Sequence, residues 1–219
     1  MELLTIICYI LPMHITIQIP EEAHLKAELE KRTDIEALRM QRYLAMPDLS
    51  RTAGSPLKEI VDRTLQVPSL AGFDTIEIPE IIPINILFDL FNMPEGHPAR
   101  SKSDTYYVDE TNVLRTHDTV FWYYYLNHPS IKEKIKNGEA FGTICHGKVY
   151  RKDEIDRRHM NVFHQMGGLY LVPDSKQTVT PDDLKNVLTA IAKSIFGENT
   201  NFRFYDHNFP YTDPSFEME

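Results

Sequence analysis

Apolar residues recur along this chain with two periods, one helical and one of strands, and the switches between them mark out the elements. Residues 1–20 (MELLTIICYILPMHITIQIP) open on an apolar run of about seventeen residues, at the short edge for a spanning helix. Glu2 stands where a secretory leader carries basic residues, Pro12 interrupts the run, and no small-residue cleavage site follows. A buried strand pair around Pro12, or a misassigned start, fits this better than membrane insertion. Residues 21–43 are charged, with Leu25, Leu29 and Leu38 at partly helical spacing, which predicts one exposed, arm-like helix broken by Met46-Pro47. Ser55-Pro56 supplies an N-cap followed by proline at the first helical position, and Leu57, Ile60, Val61 and Leu65 then share a face. After Gly72, residues 73–78 alternate as a strand and stop at Pro79.

The second half follows the same logic. Residues 118–126 (DTVFWYYYL) are dense in aromatic rings and predict a buried helix after a turn at His117. Pro129-Ser130 opens a short helix with Ile131 and Ile135 inward, ended by Asn137-Gly138. Residues 141–150 read as strand. Thr180-Pro181-Asp182-Asp183 is a capping box, with Leu184, Val187, Leu188, Ile191 and Ile195 on one stripe and Gly197 as the stop. Residues 201–205 alternate as a further strand. Strands joined by hairpins with interspersed helices predict an α+β domain, an antiparallel sheet flanked by helices. There is no internal repeat and no low-complexity tract.

Within this framework residues 147–168 (GKVYRKDEIDRRHMNVFHQMGG) are the candidate chemistry: two strands joined by a highly charged loop. Arg151 closes the first strand and can fork onto a phosphate. Phe163 can stack on a base, and Gln165, two residues on, points to the same face and can bond a polar substrate. An ordinary hairpin with a solvated loop fits the spacing equally well.

Composition narrows the choice. The chain's 219 residues suffice for one domain and an appendage. Hydrophobic content of 42% with 25% charge is that of a globular chain. Cys8 and Cys145 cannot make a disulfide framework, which points to a reducing cytoplasm. A net charge of −9 argues against a free-standing nucleic-acid binder.

Arg151, Asp153, Asp156-Arg157-Arg158-His159 and Phe163-His164-Gln165 together resemble motif 2 of the phenylalanyl-tRNA synthetase alpha subunit family, a class II enzyme. Upstream, His97-Pro98-Ala99-Arg100 with Asp104-Thr105 resembles that family's HPAR…DT segment, and Leu114-Arg115-Thr116-His117 its LRTH segment. Downstream, Phe209-Pro210-Tyr211-Thr212-Asp213-Pro214-Ser215 resembles its FPFTEPS segment. The four are collinear, and the helix, strand and proline of residues 55–79 resemble motif 1, the subunit-interface motif. The resemblance implies a class II catalytic core over residues 47–219, with residues 1–46 as an appended apolar segment and charged helix.

It also implies a reaction. Phenylalanine is activated with ATP and Mg2+ to phenylalanyl-adenylate, then transferred to tRNA(Phe), by two alpha and two beta subunits together and with no membrane involved. Residue by residue, Arg151 corresponds to the catalytic arginine on the α-phosphate and substrate carboxylate. Asp153, His159 and Phe163 correspond to contacts of the adenine amino group, the outer phosphates and the adenine ring. His117, Thr119 (serine in many relatives, so a hydroxyl is kept) and Gln165 correspond to phenylalanine-binding positions. Phe209 and Tyr211 correspond to the rings that recognise the substrate side chain, and Asp213 to a magnesium-binding glutamate.

Two departures stand out. Where the family has glutamate after FHQ-x, this chain has Gly167, which removes a carboxylate expected near the substrate ammonium group. Glu219 follows Pro214-Ser215 closely, before any strand flooring the pocket or a motif 3 arginine, so the expectation is a chain incomplete for activation, with an unpaired sheet edge and poor solubility. A non-catalytic paralogue binding amino acid, nucleotide or a partner subunit is the alternative, and a synthetase for another amino acid a third reading.

Overall fold

The computed structural model describes residues 11–209 and 211–219. Residues 1–10, most of the apolar opening run, lie outside them. What is described of that run is β1 (His14–Thr16), with Ile15 buried.

The charged stretch folds as two helices, α1 (Pro20–Glu30) and α2 (Ile35–Leu44), in place of the single exposed helix expected. The break falls at Asp34, whose side chain accepts the Ala37 N–H at 3.0 Å as an N-cap. Leu29, Ala37, Met40 and Tyr43 pack with Tyr106, Leu114 and Tyr150, so the pair is built into the core and does not project as an arm. The leucine spacing misled because Leu38 faces solvent while Ala37 and Tyr43 face in.

α3 (Pro56–Leu65) starts where expected, the Ser55 hydroxyl accepting the Leu57 N–H at 3.2 Å. β2 (Asp74–Glu77) follows, then β3 (Ile81–Pro83), the single turn α4 (Ile84–Leu87) and β4 (Asn112–Leu114). α5 (Phe121–Asn127) buries Phe121, Tyr124 and Tyr125 as its aromatic density predicts. α6 (Pro129–Lys136) buries Ile131, but Ile135 is exposed, contrary to the inward position expected.

β5 (Phe141–Tyr150) and β6 (Val162–Leu171) form the long antiparallel hairpin, in register from Phe141 opposite Leu171 to Tyr150 opposite Val162. The main sheet has the order β1-β2-β5-β6, with β1–β2 and β2–β5 parallel, so an antiparallel hairpin is joined to a parallel flank. β3 and β4 make a small antiparallel pair. α7 (Pro181–Phe196) carries the full capping box between Thr180 and Asp183. The last strands, β7 (Phe204–Phe209) and β8 (Thr212–Met218), pair with each other, a few residues later than the alternation suggested.

Every residue of β5 is buried, which makes it the axis of the molecule. Its Lys148 reaches back to the end of α2, donating to the carbonyls of Leu44 and Met46 at 3.0 and 2.7 Å, while Glu80 balances its charge at 3.0 Å. Carbonyls that a helix end leaves unpaired are thereby satisfied. Burying that ammonium group is tolerable because it is both paired and bonded.

Candidate functional site

The hairpin of β5 and β6 aims its closing loop and one face of β6 at the segment that follows β4. Arg151 leaves β5 with its backbone N–H on the Asn161 carbonyl at 3.0 Å. Its Nε donates to the Thr116 carbonyl at 3.0 Å, and its guanidinium lies 5.3 Å from the centre of the Phe163 ring. Among the described residues Nε is the one guanidinium nitrogen of Arg151 given a protein acceptor. The two terminal amino groups, the pair that grips an oxyanion, are not committed there.

Asn161 ties the loop shut. Its amide donates to the carbonyls of Arg151 and Asp153 at 2.9 and 2.8 Å, and its oxygen accepts the Tyr43 hydroxyl at 2.9 Å. Farther out, Asp156 accepts the N–H groups of Arg158 and His159 at 2.6 and 2.7 Å and meets His159 Nδ1 at 3.0 Å. That hydrogen bond raises the pKa of His159, which is fully solvated. Asp153 and His159 therefore lie on the exposed rim, away from the buried centre.

Phe163, Gln165 and Gly167 share one face of β6. Gln165 accepts the Asp118 N–H at 3.0 Å. The turn it holds carries His117 and Thr119. His117 Nε2 donates to the Leu87 carbonyl at 3.2 Å, so Nδ1 is the acceptor for the Thr119 hydroxyl. Burial, chiefly, lowers the His117 pKa to about 4, which leaves a neutral imidazole at pH 7. Arg115 is buried with its guanidinium on the carbonyls of Lys148, Ile78 and Pro79, and is a structural post.

Asp118 is the unexpected member. Burial pushes its pKa up to about 6, against the pull of Arg115. Its Oδ2 has no hydrogen-bond partner among the described residues.

Aromatic rings close the other side. Phe91 meets His117 edge-on at 5.1 Å and Tyr211 at 5.2 Å, and Trp122 lies 6.2 Å from Tyr211. Phe209 stacks on His207 at 4.3 Å and lies 6.3 Å from Tyr211. Burial and the charge of Asp118 raise the Tyr211 pKa. Asp213, on β8, is exposed.

The fold thus gathers Arg151, Phe163, Gln165, His117, Thr119 and Tyr211, with Phe209 one ring away. It leaves Asp153, His159 and Asp213 on exposed surface. Asp118, Asn161, Phe91 and Trp122 belong to the same neighbourhood and were not singled out from the sequence. For Asp118 the signal was available: an acidic residue at the head of an aromatic run.

Residues 41–219 match the family described as tRNA synthetases class II core domain (F). Curated proteins named phenylalanine--tRNA ligase alpha subunit are among the relatives. The one from Fusobacterium nucleatum is 34% identical over 194 residues, covering 88% of this chain and 52% of that protein. The one from Caldicellulosiruptor bescii is 33% identical over 204 residues, covering 93% and 56%. The chain spans about half the length of the curated relatives it matches. Among solved structures, Desulfitobacterium hafniense PylSc, a pyrrolysyl tRNA synthetase, superposes with a TM-score of 0.51 at 16% identity, over 90% of this chain and 73% of that one. That likeness is one of fold.

Proposed function

The chain belongs to the tRNA synthetases class II core domain family, and on that premise we propose that it is the amino-acid-activating part of a phenylalanine–tRNA ligase alpha subunit. Its reaction joins a carboxylate oxygen of L-phenylalanine to the α-phosphorus of ATP as the bond to the pyrophosphate oxygen breaks. The acyl group then passes to tRNA(Phe). No protein nucleophile is needed; positioning and stabilisation of charge on phosphorus carry the rate.

One observation carries this reading. Arg151 is held rigid by Nε on Thr116 and by the Phe163 ring, while its terminal amino groups keep their capacity for an oxyanion. Arg151 would take the α-phosphate, and Phe163 the adenine. Asp153 and His159 on the rim would reach the adenine amino group and outer phosphates. His117, Thr119 and Gln165 would orient the amino acid's polar end, and Tyr211 and Phe209 its ring.

Among the described residues no cluster of three or more His, Cys, Asp or Glu could hold a metal. This donor set suits a Mg2+ that arrives on ATP, with Asp213 as one carboxylate and phosphates and water as the rest. Bound there, magnesium would neutralise phosphate charge. Residues 47–219 would form the catalytic core and residues 1–46 its appended segment, in the cytoplasm, with a beta subunit as partner. Among the described residues no helix is long and apolar enough to cross a membrane.

Phenylalanine-dependent ATP–pyrophosphate exchange by a version extended to the length of its relatives, together with a beta subunit, tests the reading. Arg151→Ala should lose about 10²–10³-fold in turnover, and Arg151→Lys should not restore it because a point charge cannot fork. Exchange as fast as wild type in Arg151→Ala would remove Arg151 from this role. Absence of exchange by that extended version with any of the twenty amino acids would remove the enzyme and leave a binding paralogue.

A further inference from the structure

We infer that Asp118 is the anion that receives the α-ammonium group of the amino-acid substrate, and that position 167 is glycine so that this carboxylate can stand there. The inference rests on the reading of the site as one that binds an amino acid, and adds the residue that recognises its positive end.

The geometry is specific. Asp118 is 7% exposed, and its Oδ2 finds no donor among the described residues. A carboxylate oxygen buried without a partner costs the fold free energy unless something else pairs with it. The position is set by Gly167. A Cβ there would stand 2.4 Å from Asp118 Oδ2, 3.1 Å from its Cγ and 3.2 Å from Cε1 of Phe121. The carboxylate thus fills the volume that a side chain on β6 would otherwise occupy. A negative charge absent from position 167 is supplied from the facing turn instead.

Among the described residues no cation pairs with this carboxylate. Arg115 is spent on three backbone carbonyls, and Arg151 is fixed through Thr116. Both pull the Asp118 pKa down, yet neither forms an ion pair with it among the described residues. The remaining titratable neighbours are neutral at pH 7: His117 with its pKa lowered to about 4, Cys145 pushed up to about 12, and Tyr211, also raised. Gln165 fixes the turn through the Asp118 N–H, so the side chain is aimed independently of any ligand. A buried acceptor without a donor, beside Phe121 and within the field of Tyr211, calls for a compact cation attached to an apolar body. The ammonium group of an aromatic amino acid has that shape.

Calorimetric titration of the full chain with L-phenylalanine and with 3-phenylpropionate, which lacks only the ammonium group, tests this. Wild type should prefer phenylalanine. Asp118→Asn should weaken phenylalanine about 30-fold or more, as truncating a buried charge pair does, and leave 3-phenylpropionate unchanged. The same variant should melt several degrees higher at pH 7.5, because an unpaired buried charge has gone. A swap, Asp118→Ala with Gly167→Glu, should recover part of the preference from the opposite strand. Equal phenylalanine affinity in wild type and Asp118→Asn overturns the inference and leaves the proposed function standing. Weaker binding of both ligands with a lower melting point makes Asp118 structural and also overturns it. Wild type that binds neither ligand removes the proposed function itself, and this inference with it.

Discussion

A buried acid with one carboxylate oxygen unpartnered among the described residues makes pH dependence a property of single residues here. Burial pushes the Asp118 carboxyl up to about 6 in the folded chain, from an ordinary 3.8. The folded state therefore holds the proton more tightly than the unfolded state. Its contribution to stability is fully present below about pH 4 and is lost as pH rises through about 6. Asp118→Asn should accordingly stabilise the chain at pH 7.5 by up to about 3 kcal/mol, a gain that shrinks steadily towards pH 4. Thermal melts of both proteins across that range check it; a constant difference would mean the carboxylate is not the cause. His117 runs the other way. Its pKa is depressed to about 4 by burial, so its contribution is present above pH 6.5 and lost as pH falls through about 4. Neither shift could be read from residue type, because each depends on which side chains cover the group. Arg151 and Phe163 were legible because strand–loop–strand spacing alone puts an arginine and a ring at one hairpin mouth.

Among the elements, the β5–β6 hairpin and its loop carry the most function and depend on one amide. Asn161 bonds the carbonyls of Arg151 and Asp153 and the hydroxyl of Tyr43, which binds the loop to α2. Asn161→Ala removes the hydrogen bonds of two part-buried loop carbonyls and of the buried Tyr43 hydroxyl and should cost about 2 kcal/mol, read by urea unfolding. Protease cleavage within residues 152–160 should quicken, and the KM for ATP should rise more than the KM for phenylalanine. Unchanged proteolysis would show that the loop is held elsewhere. The capping box of α7, the Ser55-Pro56 start and the aromatic helix were legible because caps and periodicity are local. The α1–α2 break and the exposure of Ile135 were not. Both turn on which neighbour a helix face meets, and helical spacing is silent on that.

For the whole molecule, net charge bears on the tRNA and beta-subunit partners proposed above. With a net charge of −9, the chain by itself has no sequence-independent grip on a polyanion. It should bind tRNA more weakly than ~10 µM at 150 mM salt, measured by filter binding, and addition of the beta subunit should tighten this. Tight binding by the chain alone would place the tRNA surface on this subunit. The fold class followed from the order of strands and helices. The parallel pairing of β1 and β2 onto β5 did not, since strands far apart in sequence can be assigned neighbours only in three dimensions.

The sequence by itself determined the family, through collinear motifs, along with the helix starts and the arginine and rings of the hairpin, because each is a short-range pattern of residue types. Only the tertiary structure decided that Tyr43 braces the loop through Asn161 and that α1 and α2 belong to the core. It alone brought Asp118 against the bare backbone of Gly167. That last contact joins residues far apart in the chain, and what makes it matter is a missing side chain on one strand and an unpaired oxygen facing it from the turn before α5.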